Sequence, residues 1–129
     1  MLREAPGTGT LLFANTRRQV GTIAEWLDDE GVPFVIYTGE MDRGVRRRNL
    51  ASFRAGEIDV LLTTDLGGRG LDIARVERVV NVHLPADLDN YLHRAGRTAR
   101  AGRPGLMINF ITQRDHPLLA KIRKREGRD

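Results

Sequence analysis

The residues best able to do chemistry are arginines. The densest group is Tyr91-Leu92-His93-Arg94-Ala95-Gly96-Arg97-Thr98-Ala99-Arg100-Ala101-Gly102-Arg103, where from Arg94 on an arginine recurs at every third position. A guanidinium carries a permanent charge and a planar fork of donors that matches phosphate oxygens two at a time. No Asp or Glu occurs from Asn90 through Arg114, so neighbours in sequence cannot neutralise Arg94, Arg97, Arg100 or Arg103. On a helix, Arg97 and Arg100 share a face with His93 one turn earlier, and like charges at that spacing repel. An anion would offset the repulsion. Ala95, Gly96, Ala99, Ala101 and Gly102 leave room for a phosphate to approach the backbone, which makes Arg97 and Arg100 the candidate phosphate ligands. The competing reading is that these arginines face water or pair with carboxylates elsewhere, such as Asp87 or Asp89. His93, taken alone, fits a packed or capping histidine.

Two other segments gather similar chemistry. Thr63-Thr64-Asp65-Leu66-Gly67-Gly68-Arg69-Gly70-Leu71-Asp72-Ile73 puts two hydroxyls and a carboxylate ahead of a glycine-rich turn. Amide groups exposed in such a turn bind anions. Thr63 or Thr64 can donate to a nucleic-acid phosphate, and Asp72 can accept from a ribose hydroxyl. The blander alternative is a tight strand-to-helix connection in which Asp65 caps the backbone, although it gives no role to Arg69 among the glycines. Asn15-Thr16-Arg17-Arg18 sets a hydroxyl and two guanidiniums at a helix start, which is both a natural phosphate site and a natural N-cap. Thr38-Gly39 leads into Arg43, Arg46, Arg47 and Arg48, for which a solvated helix face is the competing reading.

These segments need elements to hold them. Apolar runs at Thr10–Ala14, Val32–Tyr37, Ile58–Thr63, Val76–Leu84 and Leu106–Ile111 read as strands buried on both faces. Between them, Thr16–Glu30 repeats Val20, Ile23, Ala24 and Leu27 at helical spacing and stops at Gly31; Asp42–Ala55 repeats Val45, Leu50 and Phe53 and stops at Gly56. Asp87 is the N-cap of a helix through Leu88, Tyr91 and Leu92, and His116–Glu126 forms a last, basic helix. The alternation predicts an α/β domain with a largely parallel sheet, whose ligands collect beyond the carboxyl ends of the strands. Residues 1–9, with Pro6, Gly7 and Gly9, read as a linker or lead-in, and 10–129 as the domain.

Composition sets the outer limits. The 129 residues suffice for one domain core, 40% are hydrophobic and 29% charged, and no apolar run approaches the roughly 18 residues of a membrane span. The absence of cysteine removes disulfides and thiolate metal sites, and the start of the chain does not read as a secretory signal, which together fit a cytoplasmic setting. Basic residues exceed acidic ones by 21 to 17, a net charge of +4 that favours a polyanionic partner.

Taken together, the motifs resemble the C-terminal RecA-like domain of DEAD-box ATP-dependent RNA helicases, over nearly the whole chain from Gly9 to about Arg125. Leu11–Arg17 is similar to the family's motif IV, Thr63–Ile73 to motif V and His93–Gly102 to motif VI. The resemblance implies a RecA-like three-layer fold, a mainly parallel sheet flanked by helices. It implies that Arg97, as arginine finger, and Arg100 reach the γ-phosphate of ATP, that Asp72 contacts the ribose, and that His93, Arg94 and Arg69 couple the nucleotide cleft to RNA. Thr16, Gly39, Arg46 and Thr64 would hold the RNA sugar-phosphate backbone. Two positions depart from the family: its Q-x-x-R is Arg43-Gly44-Val45-Arg46 here, and its frequent H-G is Thr38-Gly39.

A phosphate-binding P-loop requires G-x-x-x-x-G-K, and no lysine precedes Lys121. The resemblance therefore implies that ATP with magnesium is held mainly by an N-terminal RecA-like domain of the same protein, with no metal site here. The isolated domain would be a monomer and inactive, acting on ATP and RNA only with that domain. The alternative is a stand-alone RecA-like module that binds RNA or protein without ATPase activity.

Overall fold

The computed structural model describes residues 9–65, 76–85, 87–95, 106–110 and 115–125. Within them the elements run β1 (Gly9–Ala14), α1 (Arg17–Asp29), β2 (Val35–Tyr37), α2 (Arg43–Arg54), β3 (Val60–Thr64), β4 (Val76–Asn81), α3 (Leu88–Ala95), β5 (Leu106–Asn109) and α4 (His116–Arg125). The strands form one sheet in the order β2-β3-β1-β4-β5, and every pairing is parallel. No helix among the described residues is long and apolar enough to cross a membrane.

Alternation along each strand builds two cores. Leu11, Phe13, Leu61 and Val79 point to one face and pack with Phe53 and Leu50 of α2. Leu12, Ala14, Leu62 and Val80 point to the other and pack with Val20, Ile23 and Leu27 of α1. Helices on opposite faces of a parallel sheet give the expected three layers. A third cluster, Leu84, Tyr91, Leu118 and Ile122, joins α3 to α4.

The helix boundaries follow from their caps. The Thr16 hydroxyl accepts from the Gln19 amide at 3.1 Å, and Gln19 Oε1 accepts in turn from the Thr16 amide at 3.1 Å. This reciprocal capping box satisfies two of the amides that a helix start leaves open. Asp42 Oδ2 caps α2 through the amides of Gly44 and Val45. Gly31 and Gly56, at φ of 69° and 81°, stop α1 and α2 in the left-handed region that glycine enters without strain.

Strand limits differ from the sequence reading at several ends. The amide of Val32 bonds back to the Leu27 carbonyl at the end of α1, so β2 begins only at Val35. The amides of Glu57 and Ile58 bond to the Ser52 carbonyl of α2, which delays β3 to Val60. At the far end of β4, Val82 and His83 both turn their amides onto the Phe13 carbonyl, and Leu84 leaves the sheet for the α3–α4 cluster.

Candidate nucleotide and nucleic-acid interface

Because all strands are parallel, the loops that follow them leave the sheet at one edge. The register places Tyr37, Thr63, Phe13, Asn81 and Asn109 in a single row across the sheet near that edge. Aligned residues of adjacent parallel strands share a face, so the row carries two amides beside Phe13 on the α2 side of the sheet.

Arg94, from the last turn of α3, lies over this row. Its side chain is 1% exposed, and its guanidinium sits 4.8 Å from the centre of the Phe13 ring. Nε donates to Asp65 Oδ1 and Nη2 to Asp65 Oδ2, both at 2.6 Å. Nη2 also donates to Asn15 Oδ1 at 2.7 Å, and Nη1 donates to Asn81 Oδ1 at 2.9 Å and to the His83 carbonyl at 2.7 Å. An arginine has five N–H donors, and all five are engaged. Arg94 therefore cannot serve as a phosphate ligand without giving up one of these bonds.

For Arg94, the reading in which the ladder's arginines pair with carboxylates elsewhere in the chain holds. Arg94 faces neither water nor the nearby Asp87 or Asp89; it is neutralised by a carboxylate 29 positions upstream in sequence. Asp87 instead caps α3 by accepting from the Asn90 amide at 2.8 Å. Asp65 engages both oxygens with Arg94, and the turn that it would cap lies outside the described residues. Thr63 is fully buried and donates to the Tyr37 carbonyl, which removes it as a phosphate donor; Thr64, at 9% exposure, lies nearer the surface.

The remaining site residues divide by position. Thr16 is exposed at the start of α1, its oxygen occupied by the cap. Arg17, beside it, approaches Glu40 at 3.8 Å across the gap between the loops after β1 and β2. Gly39 is exposed, and its carbonyl accepts from Arg46 Nη1 at 3.1 Å. Arg46 also stacks over the Tyr37 ring at 5.6 Å. A Cβ added at Gly39 would meet nothing within 4 Å, and its φ is not positive, so neither packing nor backbone conformation demands glycine there. His93 is exposed on α3. Arg69, Asp72, Arg97 and Arg100 lie outside the described residues.

Three residues that build the site were not singled out in sequence. Asn81 accepts from Arg94, Asn109 accepts from Asn81, and Asn15 bridges Arg94 to the Leu84 carbonyl, to which its Nδ2 donates at 2.7 Å. The first two carried a readable signal: each is a lone amide within an otherwise apolar strand run, Val79-Val80-Asn81-Val82 and Met107-Ile108-Asn109-Phe110. A buried amide in such a run requires hydrogen-bond partners. Among the described residues no group of three or more His, Cys, Asp or Glu is placed to hold a metal ion.

A parallel sheet of this order, helices on both faces, and arginine chemistry collected at the strands' carboxyl edge define a RecA-like α/β domain. The chain belongs to the family of the helicase conserved C-terminal domain, whose model matches residues 1–102, and within it to the DEAD-box type. It is 38% identical to the ATP-dependent RNA helicase SrmB of Escherichia coli over 122 residues, which are 95% of this chain and 28% of that protein. It is 40% identical to eukaryotic initiation factor 4A of Caenorhabditis elegans over 115 residues, 89% of this chain and 29% of that one. The chain thus spans less than a third of the length of these curated relatives. Its structure matches that of E. coli SrmB bound to the regulator of ribonuclease activity RraA with a TM-score of 0.86 at 38% identity, covering 96% of this chain and 73% of that one. It also matches Saccharomyces cerevisiae Dbp5 bound to RNA and ADP BeF3, with a TM-score of 0.82 at 34% identity, covering 90% of this chain and 32% of that one.

Proposed function

We propose that this chain is the C-terminal half of an ATP-dependent RNA helicase whose ATP site is shared with an N-terminal RecA-like domain of the same protein. In this reading Arg97 and Arg100 meet the γ-phosphate, with Arg97 as the arginine finger, and Asp72 meets the ribose. Magnesium and the phosphate cradle belong to the other domain, in keeping with a sequence that has no lysine before Lys121 and so no P-loop. An arginine finger stabilises transition-state charge only when a second surface supplies nucleotide, metal and a positioned water.

Thr16, Gly39, Arg46 and Thr64 would grip RNA through its sugar-phosphate backbone, a mode that reads no sequence. Support comes from their common placement in or beside the loops that leave one sheet edge, and from a glycine at position 39 that the chain's own packing does not require. His93, Arg94 and Arg69 would couple the two sites.

The observation that carries the reading is the environment of Arg94. Its five bonds tie Asn15 ahead of α1, Asp65 ahead of the glycine-rich turn, and Asn81 at the end of β4 with His83 just after it to α3. Nucleotide-facing and RNA-facing loops thereby start from one fixed point. The test is Arg97→Ala in the complete protein. RNA-stimulated ATP turnover falls by roughly 10³-fold or more, the range for arginine fingers, while ATP binding persists; the 129-residue chain alone does not hydrolyse ATP. Turnover by the lone chain, or full activity in the variant, refutes the assignment. A stand-alone binding module has no ATPase to lose, so the same measurement separates the two readings.

A further inference from the structure

Arg94 accounts for only half of a longer chain of hydrogen bonds. Asn81 Oδ1 accepts from Arg94, and Asn81 Nδ2 donates to Asn109 Oδ1 at 2.8 Å. Asn109 Nδ2 donates to the Tyr91 hydroxyl at 3.2 Å. Tyr91 and Arg94 both belong to α3, three residues apart and so on one side of the helix. The chain therefore closes on itself: Arg94 to β4, β4 to β5, β5 to Tyr91, and Tyr91 through one helical turn back to Arg94.

The ring has a fixed direction. A guanidinium only donates, so the end of the Asn81 amide that faces Arg94 must be oxygen. That turns the Asn81 amino group toward β5, where it needs an acceptor, and this in turn sets the oxygen of Asn109 toward Asn81 and its amino group toward Tyr91. A flip of either amide would bring donor against donor at a site where Asn81 is fully buried and Tyr91 is 7% exposed. The orientation of Asn109, outside every motif noted above, thus decides whether Asn81 can accept from Arg94.

We propose that Asn109 and Tyr91 are positioning residues for the arginine ladder: through Asn81 they hold Arg94, and so fix where the segment carrying Arg97 and Arg100 leaves α3. The proposal rests on the helicase reading for its functional readout. Neither residue touches nucleotide or RNA; each acts through Arg94.

The test uses three variants in the complete protein, with ATP turnover measured in saturating RNA. Asn109→Leu keeps the shape and removes both links, and kcat falls by roughly 2- to 30-fold, the range for residues that act on a site through neighbours, with KM for ATP nearly unchanged. Asn109→Asp keeps an acceptor for Asn81, lets Tyr91 donate instead, and restores kcat to within about twofold of the parent. Tyr91→Phe opens the ring by one hydroxyl and falls between the two. In parallel, solvent exchange of the Arg94 Nε–H, followed by NMR in the 129-residue chain, speeds up in Asn109→Leu and not in Asn109→Asp. An unchanged kcat in Asn109→Leu, or an Asp variant as impaired as the Leu variant, overturns the proposal, as does a loss confined to thermal stability. If the parent shows no RNA-stimulated turnover, the helicase reading fails. The relay is then decided by Arg94 exchange alone, and equal exchange in parent and Asn109→Leu refutes it.

Discussion

Replacing Asp65 by alanine should be among the more damaging single changes this domain can suffer. Arg94 is 1% exposed and its partner Asp65 25% exposed, and the pair meets through two bonds of 2.6 Å. Asp65→Ala leaves a permanently charged group buried with two of its five donors facing the space where the carboxylate stood. Removing one partner of a fully buried pair costs about 3–5 kcal/mol. Since a quarter of the Asp65 side chain already meets solvent, water can enter and satisfy part of that loss, which lowers the expectation to about 2–4 kcal/mol.

Urea unfolding of the 129-residue chain, followed by circular dichroism, gives the measurement. With a slope of about 2 kcal/mol per molar urea, typical of small domains, the midpoint should drop by about 1–2 M. Arg94→Met removes the charge with the donors and leaves Asp65 able to hydrate, so the double variant should lose less than the two single losses added. A coupling of about 1–3 kcal/mol is expected for groups in direct contact. Strict additivity, or a loss below about 0.5 kcal/mol in Asp65→Ala, would mean that the guanidinium finds other partners and that the strand-end loops are not fastened through it.

Two further substitutions separate folding from RNA contact. Thr16→Asp keeps an N-cap acceptor and adds a charge favoured at a helix start, so the unfolding midpoint should hold or rise while RNA affinity in the complete protein falls; unchanged affinity would leave Thr16 as a cap alone. Gly39→Ala places a methyl group where nothing lies within 4 Å, so stability should stay within about 0.5 kcal/mol. RNA affinity should fall, as measured by fluorescence anisotropy, because the added Cβ obstructs a backbone approaching from outside; equal affinity would remove Gly39 from the RNA surface.

The layers of the fold were legible because their signals are local. Two-faced apolar runs mark parallel strands, and Val20, Ile23 and Leu27 mark a helical stripe without reference to any distant residue. Glycines at 31 and 56 announced the helix ends, and both adopt positive φ. What failed locally was the ownership of boundary residues: Val32 is as apolar as a strand residue, but its amide is taken by the end of α1. For Arg94 the sequence allowed a distant carboxylate but could not name it, for the opposite reason. Its partners lie 29, 13 and 79 positions away, at Asp65, Asn81 and Asn15, and no window along the sequence contains them. The absence of acids from Asn90 to Arg114 was a correct observation that spoke only to neighbours in sequence. The lone amides at 81 and 109 were the available hint, since an apolar strand has no local use for them.

The choice of arginine at position 94 follows from the number and spread of its acceptors. Three separate stretches of chain converge on it, at Asn15, at Asp65, and at Asn81 with His83, and a lysine, with three donors on one atom, cannot span them. A cation held at the meeting point of strand ends restricts how the loops move. Displacing the Asp65 loop alone would strand a buried charge, and displacing the Asn15 loop alone would leave a buried donor unpaired, each at a cost of about 1 kcal/mol or more. Motion that keeps all five bonds must carry those loops and α3 together. Under the proposed function, in which the domain responds as one body to a nucleotide at one site and RNA at another, burying the first rung of the ladder supplies this property.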